Sequence, residues 1–226
     1  MKLAWLGLLI APFLATAADI REARDRQDKT ALQSAVTGLA AAAEKSANDA
    51  TAQYRLAVAQ SHLAEVLQEL GDKQGAAGTA EAGIRAAERA VALKGTVAEH
   101  HRILGTLCGQ VIPANILRAM RYGRCALDSV NKAIELDPRS SDAYLSKGVG
   151  NYYLPATFGG GPELAVQDFR KAIELNSKSS DAYLWLGIAL RKLGKNQEAR
   201  SALQQSVALN PNRVWARQQL EKTPAK

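Results

Sequence analysis

Residues 131–145 read NKAIELDPRSSDAYL, and 39 residues on, counted from Lys132 to Lys171, residues 170–184 read RKAIELNSKSSDAYL. A third, weaker copy, QQSVALNPNRVWA, begins at Gln204. Self-similarity at a fixed period marks an array of small units, each unable to bury its apolar face without a neighbour. Ala165 and Ala199 lie 34 residues apart, the length of one helix–turn–helix unit. The rest of the 226-residue chain agrees with helix. It is 47% apolar, carries alanine-rich stretches such as GLAAAAEKSANDA and GIRAAERAVALKG, and lacks runs of Val, Ile and Thr alternating with polar residues. An all-α protein is expected.

The best copy spans Ser180 to Pro211 and holds Tyr183, Leu186-Gly187, Leu190, Ala199, Leu203 and Pro211. Small residues at 187 and 199 let two antiparallel helices cross closely, and the larger side chains fill the space around the crossing. Gly194-Lys195-Asn196 makes the turn, and Asn210-Pro211 ends the second helix. On these residues the chain resembles the tetratricopeptide repeat (TPR) family. That resemblance implies a right-handed superhelix of antiparallel helix pairs, a TPR-like α-solenoid. The preceding copy keeps Tyr144, Gly148, Ala165, Phe169 and Ala172 but inserts five residues in LPATFGGG. The one before keeps Leu104-Gly105, Ala126, Val130, Ala133 and Pro138, inserts nine around GQVIPANILRAMRYG, and has His101 in the tyrosine slot.

The expected organisation is a signal peptide over 1–17, an N-terminal packing helix within 18–50, a degenerate helical hairpin over 51–95, and three TPR-like hairpins with a capping helix over 96–226. The first two of those hairpins carry inserted loops. This layout of interrupted hairpins is similar to that of the exported TPR proteins associated with TRAP transporters, the T-components, and to that of the regulator-of-microtubule-dynamics proteins. The first likeness implies a role in solute handling. An exported chain would not meet microtubules.

Gly159-Gly160-Gly161 raises the question of a phosphate loop. The residues that follow are Pro162, Glu163 and Leu164. Proline offers no amide donor and glutamate repels an anion, so the stretch reads as a bend, with Gly161 as helix cap and Pro162 in the first helical position.

The chain starts MKLAWLGLLIAPFLATA: one lysine, an apolar run from Leu3 to Leu14, and small residues at Ala15 and Ala17. This pattern fits a cleaved export signal, and the run is too short for a membrane span of ~30 Å. Cleavage after Ala17 leaves 28 basic and 22 acidic residues, a formal +6 spread along the chain. That excess does not indicate nucleic-acid binding. The expected location is outside the cytoplasm, periplasmic or secreted, with no membrane span after cleavage.

Chemistry-bearing residues are few. His101 and Cys108, seven apart, could give zinc two ligands, but no further pair completes a site, so neither a metal nor a cofactor is expected. His62 with Glu65 and Glu69 reads as a solvated helix face, as do Glu135 and Glu174. No nucleophile sits on a strained turn, and no enzyme is expected. The repeat register brings Cys108 and Cys125 to the same end of one hairpin, so they are either a disulfide or two buried thiols.

In the TPR family the concave face is lined by one side of each first helix. The matching positions here are Arg102, Ile103 and Thr106, then Leu145, Val149, Tyr152 and Tyr153, then Leu184, Trp185, Ile188 and Arg191. Such an apolar, aromatic groove lacks the Lys and Asn with which carboxylate-clamping members hold a C-terminus. It suits a hydrophobic segment of a partner protein or a small amphipathic ligand, unless the N-terminal helix or the insertions cover it. The expected function is an exported, non-enzymatic scaffold that binds another envelope protein through its concave face or its insertions. The alternative is a small-ligand-binding accessory of a TRAP-type solute transporter.

Overall fold

The computed structural model describes residues 16–225, so the expected signal segment falls almost wholly outside the described residues. Eleven α-helices and no strand occur among them. Their bounds are α1 (Ala17–Asp25), α2 (Lys29–Lys45), α3 (Ala50–Glu69), α4 (Lys73–Leu93), α5 (Ala98–Val111), α6 (Ile116–Leu136), α7 (Ser141–Tyr153), α8 (Pro162–Leu175), α9 (Ser180–Lys192), α10 (Asn196–Leu209) and α11 (Val214–Glu221). The pairs α3–α4, α5–α6, α7–α8 and α9–α10 form successive antiparallel hairpins, with α1 and α2 packed on α3 and with α11 closing the far end. The N-terminal packing region is therefore two helices, divided at Gln27, whose φ is 55°.

The repeated DPRS, NSKS and NPNR stretches fold the same way. The side chains of Asp137, Asn176 and Asn210 each accept a hydrogen bond from the backbone two residues on. Ser140 and Ser179 then cap α7 and α9 by accepting from the amides of Ala143 and Ala182. In the third copy Arg213 stands in the serine position, and α11 has no side-chain cap.

The crossings follow the glycines. A Cβ at Gly105 would lie 3.0 Å from the carbonyl oxygen of Ala126, and one at Gly187 would lie 2.9 Å from that of Ala199. At Gly148 the neighbour is the Phe169 ring, 2.5 Å from a built Cβ. The nine-residue insertion is not a loop. It extends α5 and α6 and leaves only a 3-10 turn, Ile112–Ala114, because Asn115 caps a run of good helix formers. The second insertion is a tight bend with a 3-10 turn over Ala156–Phe158. Gly159 and Gly161 have φ of 81° and 112°, and Gly160 sits against the Leu154 carbonyl. Pro162 opens α8 directly after Gly161.

Candidate functional site: a concave chamber closed by an ionic clasp

The first helices of the hairpins, α3, α5 and α7, together with α1, one side of α6 and the bend at 154–158, wall one open space of about 1490 Å³, the chamber, on the inner side of the superhelix. Its lining includes Arg55, Arg102, Leu145, Tyr153, Trp185 and Trp215. Trp185 lies at the centre of an aromatic cluster, with ring centroids 5.2 Å from Trp215, 5.7 Å from Tyr152 and 6.1 Å from Tyr153.

The two ends of the array meet beside this cluster. Arg24 of α1 donates to Asp181 at the start of α9 over 2.7 Å. Arg213, fully buried, reaches from the start of α11 to Glu65 at 2.8 Å and to both oxygens of Glu69, on the last turns of α3. Asp25 accepts from Asn210, and Gln27 exchanges hydrogen bonds with Gln218. Two guanidiniums thus face four carboxylates, Asp25, Glu65, Glu69 and Asp181. Such a set is not comfortable fully ionised in a poorly hydrated place. Burial pushes Glu69, the most enclosed of the four, up to about 7, with the Glu65 charge adding to the shift and Arg213 opposing it. Glu65 is buried too, but Arg24 and Arg213 outweigh that and hold it well below the ordinary carboxylate range. Burial lowers His62.

The face formed by His62, Glu65 and Glu69, expected to be solvated, is therefore the receiving half of the clasp. The correction comes from superhelical closure, which brings α11 over α3. His101 donates from Nε2 to the Gly95 carbonyl at the surface, and it is His100 that is buried, against the carbonyls of Ala90 and Lys94. Glu135 and Glu174 are exposed and pair with Lys132 and Lys171.

Of the positions matched to the concave face, Arg102, Leu145, Val149, Tyr153 and Trp185 border the chamber. Arg102 is gripped by Glu99 at 2.9 Å, and Tyr153 accepts from Gln68 at 3.0 Å. Thr106 also borders it, bonded to Ser146 at 3.0 Å. Ile103 belongs chiefly to the core shared with α3 and α4. Leu184 and Ile188 are packed against Leu203 and Ala216, under the capping helix, so they meet no open space. Arg191 is bonded to Gln219 and Thr223 of the C-terminal segment. Tyr152 lies under the Lys192 ammonium, 4.3 Å from the ring centroid. Cys108 and Cys125 are joined as a disulfide, Cα to Cα 5.9 Å, which ties α6 to α5 and takes Cys108 from any metal set. No cluster of metal-ligating side chains occurs among the described residues.

Arg24, Asp181, Arg213 and Trp215 were not singled out by sequence reasoning. One signal was there: Arg213 interrupts the serine that the other two copies place before the next helix.

Stacked antiparallel pairs with glycine crossings around a concave chamber define a TPR-like solenoid protein. More narrowly, the chain belongs to the family described as Regulator of microtubule dynamics protein 1-3, whose model matches residues 14–223. This is one of the two families whose layout of insertions the sequence resembles. Among solved structures the chain is similar to a thermophilic TPR protein of Thermus thermophilus, at 17% identity over 89% of this chain and 97% of that one, with a TM-score of 0.63. It is also similar to YrrB, a TPR protein with an unusual peptide-binding site (17%, 90% and 91%, TM-score 0.44), and to MamA of Desulfovibrio magneticus RS-1 (16%, 88% and 99%, TM-score 0.46). No match was found among the curated proteins.

Proposed function

We propose that this protein is a non-enzymatic scaffold that holds an apolar segment of a partner protein in its concave chamber. The observation that carries this reading is the chamber itself, walled by Tyr153, Trp185 and Trp215, with Arg55 and Arg102 also in its lining. Large aromatic side chains in a recess are what a buried anchor residue of a partner needs. The family's name refers to microtubule dynamics, and from it we carry only that the partner is a protein. The apolar run Leu3 to Leu14 and the small residues before position 18 support export, with a partner in the cell envelope. No helix among the described residues is long and apolar enough to cross a membrane.

A second reading keeps the same chamber but fills it with a small amphipathic ligand, as in an accessory of a TRAP-type solute transporter. The closure of the array by Arg24–Asp181 and Arg213–Glu65 favours it, since it walls the aromatic end of the space on a further side, as a small-molecule site requires.

Purification from the envelope followed by native mass spectrometry tests both readings. A stoichiometric protein partner that is lost in Tyr153→Ala and Trp185→Ala variants of unchanged circular dichroism supports the scaffold, and a retained small molecule supports the accessory. Retention of the partner by both variants would remove the chamber from the account. An N-terminus other than Ala18 or a close neighbour, read by mass spectrometry, would remove export through this signal.

A further inference from the structure

The apolar core of the solenoid is interrupted between its second and third hairpins. Ile103, Leu107, Cys108 and Val111 form one cluster with α3 and α4, reaching Cys125 and Ala126 of α6. Ala165, Phe169, Leu186 and Leu190 form another, which Leu145 and Val149 of α7 join. Among the described residues no buried apolar cluster joins α6 to α7. In a solenoid the second helix of each unit packs on the next unit; the buried apolar residues of α6 are Val130 and Ala133, towards its C-terminal end, and Val130 lies against Gly105 of α5. Towards its start one side of the helix is bare. Met120 is 78% and Leu127 51% exposed, and between them Gly123 and Ala126 border the open space. Leu154, Pro155 and Phe158 of the other insertion border the same open space, Phe158 being 74% exposed. The part of that space beside α6 is a groove open to solvent.

The α6 side of the groove is held in place. The Cys108–Cys125 disulfide fixes the first half of α6 to α5, and Arg118 ties it to α4 through Glu81 at 3.2 Å and Gln74 at 2.9 Å. Both ties hold α6 to its own hairpin and the preceding one. Its apolar positions recur at helical spacing, with Gly123 and Ala126 small enough for a second backbone to come close. The rim is basic: residues 116–128 include Arg118, Arg121 and Arg124 against one carboxylate, Asp128. Arg121 and Arg124 are exposed and make no ion pair among the described residues, and Arg121 lies over Tyr122. A flat bilayer cannot enter a recess between two hairpins.

Resting on the scaffold reading, we infer that this groove, the α6 side of the same open space as the chamber, takes an amphipathic helix of the partner protein whose apolar face is flanked by acidic residues. The apolar face packs on Met120 and Leu127 against Phe158, and the acidic flank meets Arg121 and Arg124.

Fluorescence anisotropy on the full oxidised chain tests it, with a labelled helical peptide carrying leucines at i, i+3, i+4 and i+7 and glutamates on the flanks. Saturable binding is expected, weakened about tenfold or more by Leu127→Glu. Arg124→Glu is expected to weaken it several-fold and to flatten its salt dependence. Trp185→Ala, which alters the aromatic wall and not α6, leaves the affinity unchanged, so docking on α6 and binding at the aromatic wall succeed or fail separately. Four results overturn the inference: equal binding of a lysine-flanked peptide; a Leu127→Glu variant that binds as well as wild type; capture by phosphatidylserine vesicles through Met120 and Leu127 with no peptide binding; or a dimer, seen in sedimentation, that Leu127→Glu dissociates.

Discussion

Arg24 and Asp181, 157 positions apart in the chain, meet at 2.7 Å and join the first helix of the array to its last full hairpin. With Arg213 on Glu65 and Glu69, this contact turns an open stack of hairpins into a closed one. Buried ion pairs of this kind add little net stability compared with apolar packing, yet removing one partner strands the others.

Replacing Arg213 with serine restores the cap residue of the other two copies but leaves Glu69 buried without its guanidinium. A loss of about 3–5 kcal/mol is expected by urea denaturation, well beyond the ~1 kcal/mol that a new cap could return. Small-angle scattering should show a larger radius of gyration as the ends part. An unchanged unfolding midpoint would mean that the clasp does not hold the fold.

The clasp also predicts a pH profile. Glu69 is raised from an ordinary 4.5 to about 7, so its contribution to stability is fully present below 4.5 and lost as pH rises through 7. Glu65 is lowered, so its contribution is present above 4.5 and lost as pH falls. Stability should be greatest between the two limits, with a decline of up to about 3 kcal/mol from pH 5 to 8. Glu69→Gln, which copies the protonated form, should flatten that decline when unfolding midpoints are compared across pH.

The disulfide closes a loop of 17 residues. Its reduction, or the double change Cys108→Ala with Cys125→Ala, should lower stability by about 3 kcal/mol in the chain-entropy estimate. Thermal melting with and without a reductant measures it; equal melting temperatures would show that α6 is held by packing alone.

An added methyl at Gly187 would stand 2.5 Å from Leu203 Cγ and 2.9 Å from the Ala199 carbonyl oxygen. Gly187→Ala should therefore cost about 1–3 kcal/mol, although alanine is the better helix former. Gly109 has nothing within 4 Å of a built Cβ, and Gly109→Ala should be neutral or gain up to about 1 kcal/mol. Equal effects at the two sites would show that Gly187 is not a crossing point.

Much of the architecture is legible in the sequence. The repeated Asp or Asn at 137, 176 and 210 and the serines at 140 and 179 announce helix ends and starts, because capping is satisfied within three residues. The pairs Gly105 with Ala126 and Gly187 with Ala199 announce two of the crossings, because a hairpin's partners lie at a fixed offset, while Gly148 meets the Phe169 ring. The bend at Gly159 to Pro162 was readable from residue chemistry alone. The concave face was legible only in part. Arg102, Leu145 and Tyr153 border the chamber, whereas Leu184 and Ile188 are sealed by α11, whose position no local rule gives.

What the amino-acid order determined by itself is the unit: two helices, a close crossing, a capped turn, repeated. Each of these rests on neighbours within one repeat length. What the tertiary structure decided is how far the stack curls and what then touches. The charges that meet at Glu65, Asp181 and Arg213 belong to different units, and small rotations between hairpins, summed along the array, bring them together. The same summation turned a glutamate face with the pattern of a solvated one into a buried clasp and left α6 bare beside α7.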